Sequence, residues 1–177
     1  TKVCKSKYIQ AVPPGEFYMG PNKIASNQGG ILYDNGGKTG NYGNNRKTSI
    51  DYFQIFPCGA KEIRFTFTQL KLSLGDGGDR LRIYDGQDAS GKEITPAGGI
   101  TGVNQSMFRG STLKAFSGSM YITFESNSAN NDSGFIAKWD SELLPVANPK
   151  SGYDVAYTTI GNGSTIDFVG NVKDAQE

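Results

Sequence analysis

Apolar side chains recur at every second position through much of this chain. From Ile63 to Thr68 the run IRFTFT sets Ile63, Phe65 and Phe67 on one face and Arg64, Thr66 and Thr68 on the other, which predicts a strand with one dry and one wet side. Leu70, Leu72 and Leu74 continue the alternation in the opposite phase, and a change of phase within one strand predicts a bulge or bend near Gln69. The segment GDGGD at 75–79 then breaks the chain before LRIYDG begins another strand. The same period returns in Leu113 and Ala115, in Met120, Ile122 and Phe124, and in Phe135, Ala137 and Trp139. Trp139, in phase with Phe135 and Ala137, is placed in the core. Turns rich in Gly, Ser and Asn separate these runs at 117–119 and 127–134. No segment carries a helical period, so the pattern predicts an all-β protein, an antiparallel two-sheet β-sandwich.

The stretch from Asn27 to Asn45 is dense in Gly and Asn but is punctuated by Ile31, Leu32, Tyr33 and Tyr42. Those large groups predict an ordered loop pinned by aromatic anchors. After Glu142, two prolines in LLPVANPKSGYD mark a boundary. The expected organisation is an N-terminal extension or packing strand over 1–28, the sandwich over 29–143, and over 144–177 a linker with the start of a second β-sandwich repeat or additional strands. At 177 residues, a single core dominates.

Charge alters this picture little. Eighteen basic and 17 acidic residues are interspersed, for a net charge of +1, so no long-range field favours nucleic acid or an anionic bilayer. No apolar run approaches the length of a membrane span, and Thr1 to Gln10 lacks the apolar centre of a signal peptide; the segment is expected to be processed or part of something longer. Histidine is absent, which removes the usual general base, the usual zinc ligand and the middle member of a Ser-His-Asp triad. A non-enzyme is expected.

Two cysteines, Cys4 and Cys58, do not form a redox or zinc pair by spacing. A disulfide between them would close a loop of roughly 55 residues and contribute about 4 kcal/mol in the chain-entropy picture, which suits a secreted or cell-surface location. Two separate buried thiols are the other reading.

In series, the opening ILYDNGGKTGNYGNN at 31–45, the strand IRFTFTQLKL at 63–72, the segment GDRLRIYDG at 78–86, and the closing pair YITFESNS at 121–128 with SGFIAKW at 133–139 resemble a CUB domain. The opening, without the family's usual cysteine pairs, is more similar to the version found in bacterial secreted and surface multidomain proteins. The stretch PVANP…TIGNGSTIDF at 145–168 is similar to the first strands of a PKD or immunoglobulin-like repeat. The resemblance implies a CUB-like jelly roll that binds protein or carbohydrate, in many members through calcium at one end of the sandwich. Its three acidic ligand positions fall here on Ser73, Asp79 and Asn127, with Asp76 and Asp132 as nearby substitutes. Calcium affinity rises with the number of carboxylates, so a site with Asp79 alone would be weak. The competing reading makes these residues turn caps bonded to local backbone.

Other features have bland readings as well. Asp85 and Gly86 read as a turn, and Glu125 gives no reason to act as half of a glycosidase pair. Tyr33, Tyr42, Tyr52, Tyr84 and Tyr121 fall in loops or at polar phases, where they either meet a ligand or are covered by a second layer. Asn104, Asn131 and Asn162 begin Asn-x-Ser sequons. The leading expectation is a non-catalytic extracellular adhesion or binding module for a protein or glycan ligand, flanked by neighbouring β-sandwich domains, with contact at the loops 75–79 and 127–132. The alternative is a structural spacer or assembly subunit of a bacterial surface fibre or secretion complex.

Overall fold

The computed structural model describes residues 14–74 and 78–143. The described chain forms ten strands: β1 Gly15–Tyr18, β2 Ile24–Ala25, β3 Gly29–Tyr33, β4 Tyr52–Ile55, β5 Ala60–Lys71, β6 Arg80–Asp85, β7 Lys92–Glu93, β8 Thr112–Ala115, β9 Met120–Glu125 and β10 Gly134–Leu143. A 3-10 turn, Gln105–Met107, precedes β8. No helix among the described residues is long and apolar enough to cross a membrane.

The strands build two sheets, in the orders β1-β3-β10-β5-β8 and β2-β4-β9-β6-β7. The expected β-sandwich is thus present. It differs from a purely antiparallel one at the edges, where β1 pairs with β3 and β2 with β4 in parallel. These edge strands come from residues N-terminal to the sandwich expected at 29–143, so part of the preceding segment completes both layers. Residues 144–177, including the expected repeat at 145–168, lie outside the described residues.

Alternation fills the space between the layers. Ile63, Phe65 and Phe67 of β5, Phe135, Ala137 and Trp139 of β10, Ile83 of β6, and Ile122 and Phe124 of β9 are all buried. Side chains from opposite sheets meet directly: the rings of Phe124 and Phe135 lie 6.2 Å apart, and those of Phe53 and Trp139 6.0 Å apart. Each such fully buried apolar side chain contributes about 1.5–3 kcal/mol relative to exposure.

The phase change in β5 is a bulge. Ala137 pairs with Phe67 and Ile136 with Gln69, which leaves Thr68 without an opposite residue. One extra residue turns Leu70 and Leu72 inward. Leu74 does not follow them: β5 ends at Lys71, and Leu74 stands 73% exposed. Beyond the bulge no strand among the described residues covers the free side of β5, because β8 pairs only with Ile63–Thr66. Side chains take the missing strand's place. Gln105 accepts from Leu72 N at 2.6 Å and donates to Leu72 O at 2.9 Å, and Arg109 Nε donates to Leu70 O at 2.8 Å. Buried backbone groups need such partners.

Candidate functional site

Three loops converge at one end of the sandwich: 34–51 between β3 and β4, 72–79 between β5 and β6, and 126–133 between β9 and β10. All three are rich in Gly, Asn and Ser, which bury little apolar surface, so beside the buried Tyr42 and Leu72 it is polar contacts that tie their described residues together. Three buried carboxylates, Asp34, Asp51 and Asp79, take part in many of them.

Asp34 follows the apolar end of β3. Its Oδ1 accepts from Gly36 N at 2.6 Å, an Asx turn, and its Oδ2 accepts from Phe135 N at 2.6 Å at the start of β10. Burial raises the Asp34 carboxyl to about 6, against the lowering effect of the backbone bonds from Gly36, Phe135 and Gly37. Gly134 has φ +66°, and a Cβ there would meet Asp34 Oδ2 at 1.9 Å. Asp51 sits at the other end of the first loop and takes a bidentate pair from Arg46, Nε to Oδ2 at 2.6 Å and Nη2 to Oδ1 at 3.0 Å. This pairing raises the Arg46 guanidinium further.

Asp79 joins the loops to one another. Its Oδ1 accepts from Asn127 N at 2.9 Å, and its Oδ2 accepts a short bond from the Tyr42 hydroxyl. That hydroxyl accepts in turn from Ser73 N at 2.9 Å. Burial first, and then the bond to Asp79, push the Tyr42 phenol well above its ordinary range. The relay Ser73–Tyr42–Asp79–Asn127 therefore takes one or more groups from each of the three loops. Further bonds reinforce it, from Tyr42 N to Asp132 O at 3.1 Å and from Asn45 N to Asn127 O at 2.6 Å.

The structure thus brings Asp79 and Asn127 into contact and ties Asp132 to Tyr42 through its carbonyl. Asp76 lies outside the described residues. The Asn127 Oδ1 accepts from Ala129 N at 2.9 Å, and the Asp132 Oδ1 accepts from Ser133 N at 2.7 Å and lies 3.2 Å from Lys71 Nζ. As a calcium cage these donors do not fit by themselves. Both Asp79 oxygens are engaged by N–H and O–H donors, the neutral Ser73 stands where the resemblance places an acid, and no group of three or more acidic or thiol side chains converges among the described residues. Cys58 is half-buried in the turn between β4 and β5; its expected partner Cys4 lies outside the described residues.

The tyrosines divide into two groups. Tyr33 and Tyr42 are buried, which for these two fits the reading of covered rings over that of ligand contacts: Tyr33 stacks on Tyr18 at 5.0 Å and Tyr42 packs edge-on against Phe124 at 5.0 Å. Tyr52, Tyr121 and Tyr84 are half-buried on neighbouring strands of the second sheet, with ring separations of 5.8 and 6.2 Å. Asp85 fastens the opposite end of the sandwich, accepting from Phe116 N at 2.9 Å and Ser117 N at 2.8 Å. Glu125 lies 3.8 Å from Arg82. Sequence reasoning missed Asp34, Asp51 and Arg46. It also missed the exposed apolar groups near Ser73: Leu74, and Val103, which is 77% exposed and follows Gly102, where an added Cβ would lie 2.0 Å from the Ser73 carbonyl oxygen.

No protein-family description matches the chain, and no curated protein matches it. Solved structures do. The full extracellular region of zebrafish Gpr126/Adgrg6 is similar over 70% of this chain and 15% of that one, with a TM-score of 0.54 and 16% identity. The CUB1-EGF-CUB2 domain of human MASP-1/3 is similar over 68% of this chain and 42% of that one, with a TM-score of 0.52 and 13% identity. The chain thus spans less than half of either structure. The fold is CUB-like, a two-sheet jelly roll.

Proposed function

We propose that this chain is a non-catalytic, secreted or surface-exposed binding module that holds a protein or glycan partner at the end formed by loops 34–51, 72–79 and 126–133. The observation that carries this reading is the buried relay from Ser73 through Tyr42 and Asp79 to Asn127. It fixes three loops that lack an apolar core of their own, and preorganised loops on a rigid sandwich bind without a large ordering cost. These loops and the segment after Gly102 offer mixed chemistry suited to recognition: the exposed apolar Leu74 and Val103, and the amides of Asn41 and Asn131, which bond each other at 3.1 Å. The one carboxylate of the relay, Asp79, accepts its hydrogen bonds within the fold, which supports a structural role for it. The extracellular origin of one structure with this fold supports the location.

A weak calcium-assisted contact is a narrower form of the same reading and requires Asp76 to join Asp79. The test of the broader form is a screen of the chain against panels of extracellular proteins and glycans, repeated with Leu74→Ser and Asn131→Asp. Both residues are exposed, so these variants keep the fold, and loss of the captured partner in them is the expected result. Capture unchanged by both would place the contact elsewhere.

A further inference from the structure

A groove of about 430 Å³ opens beside β5, lined by the stretch 67–71, Arg109 and Ser133. It exists because β8 stops at its pairing with Thr66, and the bulge at Thr68 draws β5 away from the straight line of the sheet. Arg109 enters from the loop before β8. Its backbone bridges to Phe67, and its Nε–H is held by Leu70 O at 2.8 Å. That bond orients the guanidinium plane while Nη1 and Nη2 keep their hydrogens without a partner among the described residues. Arg46, Arg64 and Arg82 differ in this respect, since each lies within 4.0 Å of a carboxylate. Arg109 has no such acid among the described residues.

The other walls are polar and incompletely used. Lys71, with a side chain 60% exposed, brings a second cation that Asp132 approaches at 3.2 Å. Gln69 donates its amide to Ser133 O at 2.8 Å, which leaves its Oε1 as an acceptor, and the Ser133 hydroxyl has no partner among the described residues. A planar fork with two open N–H edges matches a carboxylate. An acceptor and a hydroxyl next to it match neighbouring alcohols. An acidic peptide side chain would satisfy the fork and leave Gln69 and Ser133 unmatched, whereas a sugar acid carries the carboxylate and vicinal hydroxyls on one ring.

The geometry points to a binding site for the carboxylate of an acidic sugar, a uronate or sialate unit of a glycan, read by Arg109 with Lys71 in support. The inference rests on the reading of the chain as a non-catalytic binding module and names a ligand class for it. It also moves the charged contact from the loop tips to the flank next to Asp132.

The test is a titration of the labelled full chain with sodium glucuronate and with N-acetylneuraminate, followed through backbone amide shifts, with glucose and sodium acetate at equal ionic strength as controls. The acidic sugars are expected to move the amides of 67–71, 109–110 and 133. Arg109→Gln, whose amide can still donate to Leu70 O, is expected to weaken binding at least about tenfold, the size of one lost charge-assisted bond. Lys71→Gln, at an exposed side chain, is expected to weaken it several-fold. Acetate binding as tightly as glucuronate would overturn the assignment to a sugar, as would an Asp- and Glu-rich peptide that shifts these amides while the sugars do not. Silence of the groove amides towards both sugars would overturn the site itself. If, in that case, a partner still shifts residues 127–132, the broader reading stands; if no panel of proteins or glycans binds, both fail.

Discussion

The hydroxyl of Tyr42 donates to Asp79, 37 residues further along the chain, and both groups are buried. Neither belongs to a strand at the bond: Tyr42 sits in the loop after β3, and Asp79 precedes β6. Because the same hydroxyl accepts from Ser73 N and the same carboxylate accepts from Asn127 N, one phenol oxygen sets the relative positions of three loops. Buried networks of this kind stabilise more than their separate bonds, and they cost correspondingly more when one member is removed.

Removing that oxygen is therefore the sharpest perturbation of the end. Tyr42→Phe keeps the ring against Phe124 but leaves Ser73 N without this acceptor and Asp79 Oδ2 without this donor. A loss of about 2–4 kcal/mol is expected from the removal of two hydrogen bonds, one of them to a buried carboxylate. Urea unfolding measures it, and hydrogen exchange should quicken at Asn127 and Ser73 before it quickens in β9 or β10.

How much of this was legible follows from the range over which each feature is decided. The dry faces of β5, β9 and β10 were readable because Ile63, Phe65, Phe67, Ile122, Phe124 and Phe135 follow the pleat, and the bulge was readable as a jump of phase close to Thr68. The edge strands β2 and β7 are two residues long, too short for any period, and they form only because a neighbour presents an open ladder. The buried acids were hidden for a different reason. Asp34 sits in a Gly- and Asn-rich stretch that reads as solvent-exposed, and one of its partners, Phe135, lies 101 residues away. The local half of its role, an acid directly after an apolar run and two residues before a glycine amide, was available in ILYDNG and would have signalled an Asx turn.

Gly134 is expected to tolerate no side chain. At φ +66° an L residue is strained, and the added carbon would lie 1.9 Å from Asp34 Oδ2, so the bond to Phe135 N could not survive. Gly134→Ala should cost about 3 kcal/mol or more, read from the denaturant midpoint, whereas Gly59→Ala, also at positive φ but with open space around it, should cost only about 1 kcal/mol.

The buried Asp34 gives stability an unusual dependence on pH. Its folded carboxyl titrates at about 6, raised from 3.8 by burial. Between those values the folded state holds a proton that the unfolded chain has released, so this group's contribution is fully present below about pH 4 and is lost as pH rises through 6. Its size is about 3 kcal/mol, at 1.36 kcal/mol for each unit. Glu142 and Glu16 act in the opposite sense. The Lys61 and Lys38 hydrogen bonds hold them below the usual range, so their small exposed contributions fade on acidification. Wild-type unfolding free energy is expected to rise from pH 7 to pH 5, and Asp34→Asn, less stable at pH 5 because its amide cannot accept at both oxygens, should show a flatter profile. A wild-type profile that falls over the same interval would show that Asp34 titrates normally.

Calcium provides the remaining test of how this end is held together. An ion that binds only the folded chain must raise the melting temperature, and the rise grows with its concentration over Kd. At Asp79 it would have to displace Asn127 N–H from one oxygen and the Tyr42 hydroxyl from the other, for a single described carboxylate in return. Millimolar calcium against a chelator is therefore expected to shift the melting temperature by less than about 1 °C. A rise of several degrees that is abolished by Asp76→Asn would show that residue 76 turns towards Asp79 and completes an oxygen cage. The Tyr42 bond would then be the form the end adopts without the ion, and the module would have two states at its contact surface.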